Sequence, residues 1–239
     1  MDNLGVDLGF LMETKLTGGV YTQFLSGYNV LASEAPSAWQ GGIALFWRGN
    51  NSYEIKETRI SGSNVISLHL IVGSTRFFVV GCYIPPSDLT TLACVDMAWR
   101  ECPTGAHPIL VGDLNLTLRA PRTEREETIA EQVNAMDLVD MSRHFYQRSG
   151  KRLWGQWTCR MRRKGRWISS QCDYFLGRET DRRRFRRVSV RMPCYYSDHR
   201  ALVAVIYAEG EGEMERYRKR MQQFPISLPR GPRTQHDAA

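Results

Sequence analysis

Apolar residues in this chain come in short runs, and the runs are bounded by turn residues or charges. Leu8–Met12 stops at Glu13, Ile43–Trp47 opens behind Gly41-Gly42, and the run 109–111 stops at Gly112-Asp113. The last run, 201–207, begins behind Ser197-Asp198-His199. None approaches the roughly 18–20 residues that a membrane-spanning helix needs. A chain divided in this way is expected to fold as many short strands with few helices. Val65–Val72 and 76–83 are joined by Gly73-Ser74, a hairpin signal, and Pro85-Pro86 ends the second run. Residues 154–160 and 167–176 read as another strand pair around the basic turn Arg162-Arg163-Lys164-Gly165, with 188–192 and 201–207 as the last strands. One helix is expected from a cap at Ser87 and Asp88 to about Arg100, before Pro103 and Gly105. A second is expected over 123–144, where Ile129, Val133, Met136 and Val139 recur near helical spacing. Strand-rich stretches flank both helices, the pattern of a two-layer β-sandwich with helices packed outside it.

Hydrophobic residues make up 42% and charged residues 24%, which suits a globular chain. One domain is expected over 1–208. Beyond it, 209–215 is acidic and Gly-rich, 216–220 is basic, and 225–239 is Pro-rich and polar, so 209–239 is expected to be a polar, partly disordered tail or linker. The segment Met1-Asp2-Asn3-Leu4-Gly5 has no basic region and no apolar core, so secretion is not expected. Cys82, Cys94, Cys102, Cys159, Cys172 and Cys194 include no C-x-x-C pair, and no His pair completes a zinc pattern. A reducing, intracellular setting without a structural metal is expected. Cys82 and Cys172 lie in apolar segments and read as buried thiols.

The net charge of +7 is unevenly placed: residues 1–147 carry −6 and the remainder +13, mostly as arginine. This asymmetry points to a polyanion, with nucleic acid the first candidate. A solvated basic face is the plainer alternative.

Several polar residues stand where an apolar strand ends: Glu13, Asp113 with Asn115, Asp173, and Asp198 with His199. Strand ends place side chains at the rim of a sheet, where loops build sites on a rigid scaffold. Carboxylates, an amide and an imidazole together suit phosphodiester chemistry with a hard metal. Oxygen ligands hold Mg²⁺, a carboxylate can deprotonate water, and a cationic group can stabilise phosphate charge. Singly, each motif has a plainer reading as a turn or a cap.

The ordered set Glu13-Thr14-Lys15, Gly41-Gly42-Ile43-Ala44, Tyr83-Ile84-Pro85-Pro86, Gly112-Asp113-Leu114-Asn115, Cys172-Asp173-Tyr174-Phe175-Leu176 and Ser197-Asp198-His199-Arg200 resembles the endonuclease/exonuclease/phosphatase superfamily. The resemblance covers about residues 4–208. Within the superfamily the chain is most similar to the endonucleases of non-LTR, LINE-type retrotransposons, through Trp157-Thr158 ahead of Asp173, the Tyr-x-Pro-Pro turn and the basic C-terminal part. The resemblance implies an α/β fold, a four-layer α/β sandwich of two β-sheets packed face to face with helices outside. It implies that Glu13 binds a divalent metal, Mg²⁺ or Mn²⁺, with Asp198 supporting the metal side. Asp113 would orient and activate the attacking water, with Asn115 helping to position it. His199 would contact the scissile phosphate, held by Asp173, and Tyr83 would point its hydroxyl at the same group. Arg160, Arg162, Arg163, Lys164 and Arg166 would contact DNA phosphates. Trp157 and Trp167 are expected in the core, with Trp154 nearby. Arg182–Arg184 and the arginines after them form a second basic cluster around Phe185. His69, His107, His144 and His236 are expected to be structural or exposed.

Members of the superfamily begin with a strand ending in a metal-binding Asn, and no such strand stands ahead of Leu8–Met12; Asn3 is not a replacement. The expectation is an N-terminally truncated domain lacking its first strand. No Tyr-x-Asp-Asp signature of a reverse transcriptase follows, and 209–239 would begin the linker to one. The function implied is a DNA-nicking endonuclease acting in the nucleus. The alternatives are a stand-alone phosphodiesterase, such as an abasic-site repair nuclease or a phosphatase, and an inactive remnant that only binds DNA.

Overall fold

The structure, a computed structural model, describes residues 5–18, 27–49, 52–143, 157–193 and 197–208. Asn3, His144, Trp154, Cys194, His236 and the expected tail 209–239 lie outside the described residues. The strands are β1 (Leu8–Met12), β2 (Asn29–Ala32), β3 (Ile43–Trp47), β4 (Glu54–Ile60), β5 (Val65–Val72), β6 (Thr75–Tyr83), β7 (His107–Asp113), β8 (Val139–Asp140), β9 (Cys159–Arg163), β10 (Arg166–Ser170), β11 (Asp173–Gly177), β12 (Phe185–Pro193) and β13 (Arg200–Ile206). The helices are α1 (Thr90–Arg100) and α2 (Glu124–Ala135), with a 3₁₀ turn at Glu179–Arg184.

One sheet runs in the order β4-β5-β6-β7-β11-β8 and a second in the order β1-β3-β2, while β9 pairs with β10 and β12 with β13. All pairings are antiparallel except β6 with β7. That parallel pair is joined through α1, since parallel neighbours need a crossover longer than a hairpin turn.

The six-stranded sheet is apolar on both faces. Val65, Phe78, Val80, Cys82 and Leu110 face the helices and meet Val95 and Ala98 of α1 and Ile129 and Val133 of α2. Ile66, Leu68, Phe77, Val79 and Ile109 face the other way and pack on Ile43 and Leu45 of β3, Phe185 and Val188 of β12, and Leu8, Phe10 and Met12 of β1. The expected α/β sandwich, two sheets face to face with helices outside, is thus present. Among the described residues both helices lie on the same side, against the six-stranded sheet.

Local chemistry sets the helix starts. The Asp88 carboxylate accepts from Thr90 N at 2.7 Å ahead of α1. Thr123 Oγ1 accepts from Glu126 N at 3.2 Å and caps α2, while Glu126 Oε2 accepts from Arg122 N at 2.6 Å, just ahead of the cap.

The structure corrects four sequence expectations. The helix expected over 123–144 ends at Ala135: Asp137 turns left-handed, with φ +56°, and Val139–Asp140 becomes the edge strand beside β11. Met136, Leu138 and Met141 are buried through this turn, whereas Val139, which continued the helical spacing, is exposed. The single strand expected over 167–176 is two, because the chain leaves the β9–β10 hairpin at Ser170 and joins the large sheet at Asp173. Strands β2 and β4 carry little apolar periodicity and were not expected. β4, Glu-Ile-Lys-Glu-Thr-Arg-Ile, is a charged edge strand, a composition that discourages further pairing. Lastly, Trp167 is 61% exposed rather than in the core, while Trp157 is half-buried.

Candidate active site

Three adjacent strands of the large sheet end on the same rim. In the ladder, Tyr83 at the end of β6 is opposite Asp113 at the end of β7, and Asp113 is opposite Asp173 at the start of β11. Gly112 allows the close approach of the first two. A Cβ there would lie 1.8 Å from the Cys82 carbonyl oxygen, so only glycine lets β7 run against β6 at this point. The Gly-Asp-x-Asn turn then folds back on itself. Asp113 Oδ1 accepts from Asn115 N at 2.8 Å, and Asn115, with φ +52°, donates its side-chain amide to the Ile84 carbonyl at 3.1 Å and to Asp113 Oδ2 at 3.3 Å. Asn tolerates this left-handed conformation better than most residues.

Glu13 reaches the rim from the other sheet. β1 packs across the sandwich on β6, where the absence of a side chain at Gly81 leaves room for the Phe10 ring. The Glu13-Thr14-Lys15 loop is pinned to the Gly-Gly turn, Thr14 N donating to the Gly42 carbonyl at 3.1 Å and Lys15 N to the Gly41 carbonyl at 2.9 Å. Gly42 has φ +85°, and a Cβ there would meet Thr14 Oγ1 at 2.4 Å. Glu13 and Lys15 both sit at positive φ, backbone strain of the kind found at functional sites. Glu13 stands close enough to the Tyr83 hydroxyl for its charge to act on it. Burial, followed by the charges of Glu13 and Asp113, pushes the Tyr83 phenol well above its ordinary range.

His199 comes from the segment leading into β13. Its Nδ1 is 2.9 Å from Asp173 Oδ2 and its Nε2 is 4.0 Å from Asp113 Oδ2. The hydrogen bond to Asp173 raises the imidazole to about 10 against the opposition of burial, and the Asp173 and Asp113 charges add to it. Asp113 is the most buried acid here, 6% exposed at its side chain. Burial and the neighbouring Asp173 charge push its carboxyl up to about 7, while His199 and the Asn115 N–H pull it back.

Thr158 arranges this side of the rim. Its buried hydroxyl accepts from Cys172 N at 3.0 Å and Asp173 N at 3.1 Å, at the point where the chain crosses between sheets. Its carbonyl accepts from Arg200 N at 2.7 Å. Thr158 appeared in the sequence only beside Trp157, and its positioning role has no local signal. Asn64 is similar: its buried side chain accepts from Gly42 N at 2.9 Å and so holds the Gly-Gly turn.

Of the sequence-derived site residues, Asp113, Asn115, Asp173, His199, Tyr83 and Glu13 are thus brought to one rim. Asp198 has an exposed side chain beside His199, and its carbonyl accepts from Arg160 N at 2.9 Å. Arg160, Arg162, Lys164 and Arg166 are exposed on the β9–β10 hairpin; Arg163 is on β9, with its side chain outside the described residues. The register puts Arg160, Arg162 and Trp167 on one face, where the Arg160 guanidinium lies 4.7 Å from the Trp167 ring centre and 5.7 Å from that of Trp157. The second basic cluster is partly neutralised: Arg182 pairs with Glu179 at 2.6 Å, and Arg184 Nε is 3.8 Å from Asp181. His107, at the opposite end of β7 from Asp113, pairs with Asp181 at 2.7 Å.

Ligand atoms of Asp113, Asp173 and His199 lie within 4.8 Å of one another. Two carboxylates this close, one of them deeply buried, form a pocket of negative charge that a divalent cation would relieve. The carboxylate oxygens of Asp113 and Asp173 suit a hard ion such as Mg²⁺, while Glu13 stands beside Tyr83, outside this cluster. Thr14 Oγ1 is also buried in the Glu-Thr-Lys loop without a hydrogen-bond partner.

A layer of helices, a mixed sheet and a second sheet, with acids and a histidine at one rim, is the endonuclease/exonuclease/phosphatase fold, and comparison with solved structures bears this out. The endonuclease domain of TRAS1, a telomere-specific non-LTR retrotransposon, superposes with a TM-score of 0.67 at 14% identity, over 87% of this chain and 90% of that one. The AP endonuclease LMAP from Leishmania major gives a TM-score of 0.66 at 16% identity, over 87% of this chain and 80% of that one. The 3'-5' exonuclease NExo from Neisseria meningitidis gives 0.61 at 16%, over 84% of this chain and 89% of that one. No protein-family model and no curated protein matches the sequence. Among the described residues, no helix is long and apolar enough to cross a membrane.

Proposed function

We propose that this chain is a divalent-metal-dependent phosphodiesterase that nicks DNA, the endonuclease of a non-LTR retrotransposon. The observation that carries the reading is the Asp113–Asp173–His199 cluster beside Tyr83, in a fold shared with nucleases. Asp113, with its carboxyl raised toward neutrality, is suited to take a proton from an attacking water, with Asn115 helping to position that water. His199, kept protonated by Asp173, is suited to neutralise charge developing on a non-bridging phosphate oxygen. The Tyr83 phenol stays protonated and donates to the same group. Glu13 holds the metal, with Asp198 on its open side. A bound Mg²⁺ or Mn²⁺ would supply charge neutralisation and a template for in-line displacement. The exposed arginines of the β9–β10 hairpin hold the duplex backbone without reading sequence.

In this reading the domain spans 1–208, and 209–239 leads toward a reverse transcriptase. The substrate is chromosomal DNA, and the compartment is the nucleus. A second reading, a stand-alone abasic-site nuclease, is favoured by the similarity to LMAP, whose TM-score nearly equals that of the retrotransposon domain.

The test is nicking of supercoiled plasmid by the full chain with Mg²⁺ or EDTA, beside Asp113→Ala and His199→Ala. Nicking that needs Mg²⁺ and disappears in both variants supports the proposal. A folded protein that binds DNA and nicks nothing overturns it and leaves a DNA-binding remnant. Cleavage confined to duplexes carrying an abasic site decides for the repair reading.

A further inference from the structure

Cys159 opens β9 and Cys172 lies in the connection from β10 to β11, yet their thiols and the His199 ring come together, with ligand atoms, the two sulfurs included, within 4.8 Å of one another. Both residues are buried, 3% and 6% exposed, and Cys172 Sγ is 4.0 Å from His199 Nδ1. Neither thiol has a part in the phosphodiester chemistry above, and two sulfurs are an odd lining for a site built for a hard cation.

We propose that Cys159, Cys172 and His199 Nδ1 form a second, thiophilic metal site for Zn²⁺, and that filling it switches the hydrolytic site off. The switching rests on the nuclease reading; the metal site does not. Zinc at about 2.3 Å from sulfur and 2.0–2.1 Å from imidazole nitrogen needs tetrahedral donors roughly 3.5–3.8 Å apart. The three donor atoms lie within 4.8 Å of one another, so small side-chain rotations bring them to that spacing. The fourth position faces Asp173 Oδ2, which is 3.5 Å from Cys172 Sγ and 2.9 Å from His199 Nδ1. Carboxylate or water completes the tetrahedron there. Binding forms two Zn–S bonds and one Zn–N bond, and both thiol protons and the Nδ1 proton pass to solvent; nothing is oxidised or reduced.

The ion occupies the place of the proton that His199 shares with Asp173. The ring then donates its lone pair to zinc, loses its imidazolium charge and is held toward the thiols. Soft thiolates select Zn²⁺ over Mg²⁺, while the carboxylate side of the rim selects the reverse. The two ions therefore oppose one another through His199.

The test is titration of the full chain, kept reduced, with Co²⁺ as a spectroscopic stand-in and then with Zn²⁺ in competition. The expected result is a thiolate-to-Co²⁺ charge-transfer band at one equivalent, bleached by Zn²⁺. It is lost in Cys159→Ala and in Cys172→Ser, and retained in the Cys94→Ser/Cys102→Ser control. Circular dichroism checks that each variant is folded. In the nicking assay, Zn²⁺ at constant Mg²⁺ is expected to inhibit the parent, and that inhibition is expected to be lost in Cys159→Ala over the same range of Zn²⁺. A folded, reduced protein without the band, or a band that survives both Cys159→Ala and Cys172→Ser, overturns the metal site. A band with no inhibition in an actively nicking protein overturns the switch. Because the band needs no substrate, absence of nicking bears only on the nuclease reading.

Discussion

Asp173 Oδ2 accepts from His199 Nδ1 at 2.9 Å, between residues 26 apart in the chain. The pair orients the ring and keeps it charged, since a carboxylate bonded to an imidazolium favours its protonated form. Asp173→Asn keeps the shape and removes that charge. His199 is then expected to titrate well below its parent value of about 10, as followed by the imidazole carbon-bound proton resonances. Nicking is expected to fall by about 10²–10⁴, the usual range for a positioned acid or base. An unchanged titration would show that the bond does not hold the charge.

The same shift makes folding stability depend on pH. The folded pKa of His199 is raised above its unfolded value of about 6.5, so its stabilisation is complete below that pH and is lost as pH rises toward about 10. In EDTA, the Tm difference between parent and His199→Gln should be largest near pH 6 and should shrink steadily on the alkaline side. A constant difference across this range would contradict the assignment.

Asp113 carries the opposite consequence. Its carboxyl is raised from the usual carboxylate range to about 7, so ionisation costs stability as pH rises through that window. Asp113→Asn keeps an acceptor for Asn115 N and removes the charge. It should abolish nicking while raising Tm at pH 8 in EDTA, with the gain disappearing near pH 4. Thermal melts at the two pH values decide the matter.

Thr158→Val replaces a fully buried hydroxyl with a methyl group and leaves the Cys172 and Asp173 N–H groups without an acceptor. The loss is expected to be about 1–3 kcal/mol in denaturant melts. Because Asp173 moves with the lost bonds, the nicking rate at saturating DNA should also fall. Thr158→Ser, which keeps the oxygen, should restore most of both.

The β9–β10 hairpin should govern affinity rather than turnover. Arg162→Ala and Arg166→Ala should each lower the slope of log K against log salt by about 0.9 for a duplex ligand, whatever its sequence. Trp167→Ala, which removes the ring beneath Arg160, should weaken binding and leave the rate at saturating DNA near the parent value. A change in rate with affinity intact would place the hairpin in the chemistry instead.

Much of this was legible in the chain because it rests on local rules. Gly73-Ser74 announces the β5–β6 hairpin, Thr123 with Glu126 announces a helix start, and Gly112-Asp113-Leu114-Asn115 announces a turn at a strand end. Other features escaped. Asp137 ends α2 early although the apolar spacing runs on, because the edge of the large sheet offers Val139 and Asp140 a partner there. The Trp167 pattern suited a core strand, yet among the described residues its strand pairs only with β9, and the ring is exposed.

By itself, the sequence determined the inventory: short strands, two capped helices, and acids, an amide and an imidazole standing at strand ends. Propensities, caps and turn chemistry act over a few residues, so a linear reading reaches them. The tertiary structure decided which of these groups meet. Register aligned Tyr83, Asp113 and Asp173 on one rim, the crossing of β1 over β6 brought Glu13 to Tyr83, and the passage of the chain between sheets gathered Cys159, Cys172 and His199. Those encounters join residues that are distant in the chain. They depend on how two sheets pack and slide against each other, and no local pattern of residues encodes that.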